Sequence, residues 1–486
     1  MSKSLKKNFG FNLIHTITSV LFPLITFPYA ARIIQPDGIG LVNFYSSIIN
    51  YIVLLTSIGI PLYATREIAR VRDNERMREK TALEILLLNC ILTIFGYVLV
   101  FVLCAVVSKI QIDIPLFLIC SLSILFTTIG CEWFYNGVED FKYIAIRGVI
   151  VKVLSVFMLF IFVKTKDDLL LYGVYSVIGV VGGNIFNFIR LHKYIEPSRI
   201  RFSELNIFRH LKPSLHVFAL NVVISLYTSL STVILGFLKD AEYVGYFATA
   251  MKVASIAQSC FIALQGVMMP HMSNLLYLDQ QEKFKELSQK VLNFAFFIGM
   301  PTTIGMLCTA RYVILLFAGQ SYTPTISALM ILSPIIIIIA ISGVLGIQIL
   351  YPQGKENIVI KCTAIGAVVG LVLNFCLIPF LNHNGAALAS LFAEVAVTGS
   401  MIYLGRDYWS LQFKNRSICT YVIASLVMGC CVHVITLLPI PVISGLLLSM
   451  SCSALVYAVL LYMVHDDMFI HLTEQILQSI KRKNGK

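Results

Sequence analysis

Charged side chains inside apolar runs are the residues of this sequence most able to do chemistry. Lys252 lies in the stretch ATAMKVASI (248–256), whose other side chains are apolar or small, and the apolar run continues to Met269. A Lys, Arg or Asp at the centre of a membrane-spanning helix costs about 2.5–3.5 kcal/mol. Such a residue therefore predicts a site that faces a cavity rather than lipid.

Four more charged residues belong to the same set. Glu394 lies in AALASLFAEVAVTGS (386–400), Arg147 and Lys152 share the stretch IRGVIVKVLS, and Arg32 stands at the outer end of the first apolar run. Together with Lys252, these candidates are mostly cations. A cationic cavity suits an anionic substrate, and phosphate is the obvious one.

The depths of Lys252 and Glu394 suggest a relation between them. Lys252 comes seven residues after Gly245, and Glu394 comes nine residues after Gly385. At about 1.5 Å per residue, the two lie about 10 and 13 Å from the same membrane face. Either they form a structural ion pair, or they line a cavity in which the carboxylate modulates the lysine or carries a proton. For Arg147, the alternative to a cavity role is extension to the membrane surface.

Several kinds of active site are not predicted. The sequence contains no GxxxxGK[ST], HExxH or GxSxG motif, so neither P-loop nucleotide hydrolysis nor these hydrolase chemistries are indicated. Its 12 cysteines form no CxxC pair and are predicted to be small core residues. We therefore predict a protein without metal or cofactor that is not an enzyme. Without an ATP site, transport would draw on an ion gradient, membrane potential or substrate concentration.

The elements that must position these residues are membrane-spanning helices. Of the 486 residues, 58% are hydrophobic and only 13% are charged, whereas about 25% are charged in soluble proteins. Apolar runs of roughly 20 residues match a hydrocarbon core of about 30 Å. We predict an all-α polytopic membrane protein with fourteen spans. They cover residues 11–34, 39–63, 82–108, 114–136, 144–163, 169–190, 213–238, 244–270, 290–310, 324–350, 358–380, 385–404, 417–438 and 441–465.

The positive charges predict the orientation of these spans. Most Lys and Arg residues fall on one side, in clusters at 65–80, 190–212 and 481–486. By the positive-inside rule, this side and both termini are cytoplasmic. The net charge of +12 is thus attributed to membrane orientation, and no nucleic acid is predicted as a partner. The opposite loops, such as QPDG and NHNG, are too short for a soluble catalytic domain.

An internal repeat divides the chain. Three pairs of stretches recur in the same order, aligning Gly40 with Gly245, Gly137 with Gly354, and Gly173 with Gly385. The offset covers six spans, an even number, so the two copies run the same way through the membrane as a parallel repeat. In this alignment the first-lobe counterpart of Lys252 is Ser47, so only one lobe carries the charge.

The repeat predicts four regions: an N-lobe at 1–212 (spans 1–6), a C-lobe at 213–410 (spans 7–12), spans 13–14 at 411–466, and a cytoplasmic tail at 467–486. The tail is amphipathic and basic and is predicted to lie along the membrane surface. Two similar lobes with a central interface are a common design for alternating access. Duplication without transport is the alternative.

Four stretches carry a family resemblance. NFGFNLIHTITSVLFPLITFPYAARIIQPDGIGLVNFYSSI, GIPLYATREIAR, EWFYNGVEDFKYIAIRGVIVKVLS and LLFAGQSYTPTISALMILSP resemble the Wzx-type polysaccharide flippases. These belong to the MOP exporter superfamily, together with the MATE drug exporters and the lipid II flippases. The resemblance covers nearly the whole chain and implies a MATE-like architecture of two six-helix lobes plus two C-terminal helices.

The resemblance also implies a function. Such proteins move undecaprenyl-pyrophosphate-linked oligosaccharide repeat units from the cytoplasmic to the periplasmic leaflet of the bacterial inner membrane, for O-antigen or capsule assembly. Polysaccharide polymerase and chain-length machinery and membrane lipids are then the expected partners. Lys252 and Arg32 match basic positions of the lipid II flippases, and Lys152 and Arg147 are further candidates to attract the pyrophosphate. Span 2 departs from those flippases, because its NFYSSIINYIVLL carries no charge.

Two alternatives differ in the residues that they require. A MATE-type cation-coupled drug or metabolite antiporter needs acidic residues around a cationic substrate, whereas Glu394 stands alone beside lysines. A membrane polysaccharide polymerase or ligase needs a sizeable periplasmic loop, and the predicted outer loops are short. Both features favour the flippase.

Overall fold

Helices account for the regular structure of the chain. A computed structural model describes residues 3–195, 200–471 and 473–475, without the side chains of residues 3–21 and of scattered positions between 202 and 264. Within these ranges, helices follow one another with short connections, and no strand occurs. The predicted all-α class is therefore confirmed.

The chain divides into two compact units. Unit 1 comprises Met1–Ala248 and Asn374–His383, and unit 2 comprises Thr249–Leu373 and Asn384–Lys486. The helices of unit 1 are α1 (Lys3–Ser57), α2 (Ile60–Val71), α3 (Glu75–Val106), α4 (Ser108–Gln111), α5 (Ile114–Gly130), α6 (Glu132–Gly137), α7 (Phe141–Phe162), α8 (Leu169–Val181), α9 (Gly183–Leu191) and α10 (Leu211–Leu238).

Two long helices contribute to both units, and the others belong to unit 2. The shared helices are α11 (Ala241–Tyr277) and α15 (Glu356–Leu404). Unit 2 adds α12 (Gln281–Phe317), α13 (Thr325–Leu332), α14 (Ile335–Gly343), a π-helical segment (Val344–Leu350), α16 (Arg416–Thr436) and α17 (Val442–Met463).

Polar residues at the ends of the apolar runs start several helices. The Asn74 side chain accepts a hydrogen bond from the backbone N–H of Met77 at the start of α3. Asp113, Asp140 and Asn415 cap α5, α7 and α16 in the same way. Each cap satisfies a backbone donor that the first helical turn leaves without a partner.

Single residues break two of the long helices. The backbone of α1 is non-helical at Gln35 (φ 64°), and that of α15 is non-helical at Asn382 (φ 52°). A positive φ is uncommon outside glycine and reverses the helical path locally. The breaks fall in QPDG and NHNG, where the sequence predicts the turns between spans 1 and 2 and between spans 11 and 12.

Helices cover most of each of the fourteen predicted spans, but the number of spans stays a prediction. Nine helices of the described residues are long and apolar enough to cross a membrane, and α8 with α9, bent by 51°, forms a tenth candidate. Two of the nine, Phe22–Val71 and Glu356–Leu404, contain the breaks at Gln35 and Asn382. The chain is thus a multi-pass membrane protein.

Close helix packing occurs at glycines in each unit. In unit 1, a Cβ added to Gly40 would collide with the backbone of Ala241, and one added to Gly245 would collide with that of Pro36. Gly40 and Gly245 are the residues that the repeat aligns, and both lie at this crossing within unit 1. In unit 2, an added Cβ at Gly370 would lie 3.2 Å from the Ala393 Cβ, so the backbone at Gly370 packs closely against Ala393.

The tail lies partly outside the described residues. Leu472 and residues 476–486, which include Ile476, Ile480 and the basic cluster, fall there. Phe469 is described, and it packs against the core cluster of Tyr421, Ala424 and Leu461 on α16 and α17.

Candidate functional site

Lys252 lies on α11 within unit 2, and its side chain is half-buried. Its neighbours Val253 and Ala254 are buried. No acidic group forms an ion pair with it among the described residues. The Ser255 hydroxyl donates a hydrogen bond of 2.8 Å to the backbone carbonyl oxygen of Lys252. Among the described residues, this ammonium group therefore has no counter-charge in ion-pair contact with it.

Glu394 belongs to the same unit but does not neutralise Lys252. Its side chain is 3% exposed, and its Oε1 accepts a hydrogen bond of 3.0 Å from the Ser342 hydroxyl on α14. No ion pair joins Glu394 to Lys252 or to another cation within the described ranges. The structural ion pair, one of the two hypotheses raised by the sequence, is therefore not formed here.

Other polar groups are buried close to Ser342 along the chain. Gly343 follows it, and a Cβ added there would collide with the Gln265 amide of α11. The π-helical segment then begins at Val344 and contains Gln348, which is 1% exposed. Both polar atoms of the Gln348 side chain lack a hydrogen-bond partner among the described residues. π-helical turns often occur at functional sites, and this one lies directly after Ser342, the hydrogen-bond partner of Glu394.

Arg32 and Lys152 lie on different helices of unit 1. Arg32 is exposed on α1, three residues before the break, and its carbonyl oxygen accepts a bond from the Gln35 amide at 2.6 Å. Asp37, which follows the break, forms an ion pair with Lys166 at 2.9 Å. Lys152 is half-buried on α7.

Arg147 is buried rather than extended to the surface. Its side chain is 8% exposed, and its Nη2 lies 3.5 Å from Glu132 Oε1 at the start of α6. Cys131 positions Glu132 there, because its left-handed backbone (φ 41°) ends α5 and allows α6 to start in a new direction. Arg147 and Lys152 share α7, but the structure pairs Arg147 with Glu132.

A buried carboxylate on α3 was missed by the sequence reasoning. Glu84 is fully buried; its Oε2 lies 2.6 Å from Arg209 Nη2 and 3.0 Å from His210 Nε2, and its Oε1 accepts the N–H of Asn206 at 2.8 Å. The other ring nitrogen of His210 lies 2.8 Å from the Tyr63 hydroxyl. The signal was present, since Glu84 lies just inside the third predicted span.

The electrostatics of this cluster are those of a structural anchor. Burial lowers the pKa of His210 below its usual value, so the ring is mostly neutral near pH 7 and Arg209 supplies the counter-charge for Glu84. The cluster ties residues 206–210 to α3 and α2. Among the described residues, no group of three or more His, Cys, Asp or Glu side chains could hold a metal ion.

Comparisons with known sequences agree on one family. A profile of the family described as "Polysaccharide biosynthesis protein" matches residues 5–276. The "Putative O-antigen transporter" of Escherichia coli (strain K12) is 25% identical over 406 residues, covering 83% of this chain and 97% of that protein. The "Capsular polysaccharide biosynthesis protein CapF" of Staphylococcus aureus is 25% identical over 406 residues, covering 82% of this chain and 98% of that protein.

Comparisons with solved structures concern the fold. A lipid II flippase, MurJ, in an inward closed conformation matches with a TM-score of 0.75 and 15% identity, covering 95% of this chain and 99% of that one. An inward-facing multidrug MATE transporter of the MOP superfamily matches with a TM-score of 0.64 and 15% identity, covering 80% of this chain and 93% of that one. The MATE-like fold predicted from the sequence is thereby confirmed.

Proposed function

Because the chain belongs to the polysaccharide biosynthesis protein family, we propose that it is a flippase for lipid-linked oligosaccharide repeat units. It moves them from the cytoplasmic to the periplasmic leaflet of a bacterial inner membrane, with undecaprenyl pyrophosphate as the carrier, for O-antigen or capsule assembly. Two relatives named for O-antigen transport and capsular polysaccharide biosynthesis support this substrate class. The family resemblance seen in the sequence is confirmed.

The single observation that carries the proposal is that Lys252 forms no ion pair with any described residue. An ammonium group within a spanning helix is costly unless it faces water or an anion. Glu394 does not pair with it, and we propose that the substrate supplies the anion. A diphosphate offers several oxygens for charge-assisted hydrogen bonds to an ammonium. Binding the diphosphate would therefore relieve the cost of burying Lys252.

Lys152 and Arg32 of unit 1 are proposed as further cations that interact with a diphosphate. Lys152 is half-buried in a spanning helix, and Arg32 is exposed beside the break in α1. Arg147 is buried beside Glu132, whose Oε1 lies 3.5 Å from Arg147 Nη2.

Glu394 is proposed to couple transport to protons. Among the described residues, the Glu394 carboxylate receives only the hydroxyl bond from Ser342, so little holds it in the charged form in an apolar setting. It can gain a proton from one side of the membrane and lose it to the other as the surroundings change. The hydroxyl can remain bonded to the side chain in both protonation states.

The proposal is tested by deleting the gene from the bacterium that carries it. We expect lipid-linked oligosaccharide to accumulate facing the cytoplasm and surface polysaccharide to disappear, with both restored by the wild-type chain. Accumulation is measured by extracting the lipids and comparing labelling of the sugars in intact and in permeabilised cells. Hypersensitivity to cationic drugs without such accumulation would instead support the MATE-type antiporter.

A further inference from the structure

A groove with apolar walls runs between α7 and α9 in unit 1. Its volume is about 310 Å³, and Ile146 and Ile150 of α7 and Phe186 and Ile189 of α9 line it. Each of these four side chains is at least 45% exposed. On helices long enough to cross a membrane, such surfaces contact hydrocarbon. The occupant of the groove must therefore be partly apolar.

Arg147 also lines this groove, and the described residues do not satisfy all of its hydrogen-bond donors. Its Nη2 contacts Glu132 at 3.5 Å, but its Nε and Nη1 are buried without a hydrogen-bond partner among the described residues. Gly183 leaves room for the guanidinium, since a Cβ added there would lie 3.0 Å from Arg147 Nε. Buried donors without partners are costly, and a guanidinium fork binds phosphate oxygens well.

The groove has more positive than negative charge around it. Arg190 and Lys193 line it together with Arg147. The nearby carboxylates are Glu132, which pairs with Arg147, and Asp140, which lies 2.7 Å from Arg190 Nη2. Neither carboxylate lines the groove. Three cations against two carboxylates leave Lys193, which is exposed, as the surplus charge at the rim.

The charged end and the apolar walls of the groove complement the two parts of a membrane lipid, its head group and its tail. The Asp140–Arg190 ion pair joins the start of α7 to the end of α9, so both helices run inward from one end. Ile150 lies about 13 Å from that end along α7, and Phe186 about 8 Å along α9. Arg190 and Lys193 stand at the end itself, which the sequence predicts to be cytoplasmic. A head group at this end would place its tail along the apolar walls.

We propose that this groove binds an anionic phospholipid of the cytoplasmic leaflet. The phosphate contacts Arg147 and Lys193, and an acyl chain lies along Ile150 and Phe186. Basic pockets between spanning helices on the cytoplasmic side are suited to anionic lipid head groups. The site goes beyond flipping and does not depend on the transported substrate. Arg147 thus serves a resident lipid rather than the diphosphate for which the sequence proposed it.

The test uses the full chain, purified in detergent and titrated with phosphatidylglycerol or with phosphatidylcholine. Binding is followed as the rise in Tm with lipid concentration, because a ligand of the folded state raises Tm. We expect a saturable rise with phosphatidylglycerol and none with phosphatidylcholine. Lys193→Glu should weaken the apparent affinity at least about fivefold, and Arg147→Gln should abolish the rise.

Lys142→Glu is the matched control, because Lys142 is exposed at the same end of α7 but does not line the groove. It should keep the wild-type affinity. If Arg147→Gln does not fold, the comparison of Lys193→Glu with Lys142→Glu decides. Equal affinities in those two variants, or equal responses to the two lipids, overturn the proposal. So does stabilisation by undecaprenyl phosphate alone, which would place the transported carrier in the groove.

Discussion

Lys252 and Glu84 are both charged residues within apolar helices, but the groups around the two side chains differ. Glu84 is surrounded by Arg209, His210 and a backbone N–H, which together satisfy its carboxylate. Lys252 has no opposite charge nearby among the described residues. A buried charge with ion-pair and hydrogen-bond partners holds helices together, whereas a charge without an ion-pair partner can bind a ligand. On this contrast we propose a structural role for Glu84 and a binding role for Lys252.

Replacing Lys252 tests the binding role. Lys252→Ala should reduce polysaccharide export about 10- to 100-fold, since a hydrogen bond to a charged group contributes about 1.5–3 kcal/mol. Lys252→Arg should retain part of the activity because it keeps the charge. Surface polysaccharide is measured together with protein abundance by immunoblot. Lys283→Ala, which removes an exposed lysine on α12, is the control; full export by the Lys252→Ala variant would refute the pyrophosphate role.

Glu394→Gln separates a transport role from a packing role. The amide can still accept the Ser342 hydroxyl bond but cannot exchange a proton. We expect normal abundance and Tm with export lowered more than about tenfold. Ser342→Ala, which removes the bond and leaves the carboxylate, should retain more export. Low abundance of Glu394→Gln would show that the carboxylate serves folding instead.

At the level of the helices, the sequence predicted the positions of the turns but not the details of the helix breaks and crossings. The positions of the turns QPDG and NHNG were predictable, because polar residues interrupt apolar runs there. The sequence did not predict that a single residue, Gln35 or Asn382, breaks the helix at each turn. This depends on how the flanking helices pack. The contact of Gly40 with the start of α11 could not be predicted from the sequence either, although the repeat aligned Gly40 with Gly245.

The glycine crossing gives a prediction for stability. Gly245→Ala should lower stability by about 1–3 kcal/mol, because the added methyl group meets the Pro36 backbone. Gly399→Ala is the control, since a Cβ there meets nothing within 4 Å and alanine favours helix. The measurement is Tm of both purified variants in the same detergent. Equal Tm values would mean that the crossing can open without cost.

The cluster at Glu84 gives a second prediction at this scale. Glu84→Gln should lower stability by about 2–3 kcal/mol, because it removes the charge that Arg209 faces and loosens residues 206–210 from α3. Glu75→Gln, at an exposed position of the same helix, should leave Tm unchanged. Limited proteolysis of residues 200–212 should be faster in Glu84→Gln only. Equal proteolysis in both variants would count against the anchoring role.

For the whole molecule, the fold class could be predicted mainly from composition and from the distribution of charge. Apolar runs determined the helices, and the ordered matches along the chain indicated the family that residues 5–276 now confirm. The partners of the charged side chains could not be predicted, because they depend on which helices pack together. Glu132 faces Arg147 and Ser342 faces Glu394 across separate helices, and no spacing in the sequence indicates either pair.

The central claim is that the chain itself moves a lipid-linked oligosaccharide across a bilayer. The most direct measurement reconstitutes the purified chain into vesicles that contain undecaprenyl-pyrophosphate-linked oligosaccharide, and follows how fast the sugar on one face becomes accessible to a glycan-oxidising reagent on the other. We predict rapid exposure with the wild-type chain and a rate close to that of protein-free vesicles with Lys252→Ala. A wild-type rate no higher than that of protein-free vesicles would contradict the account.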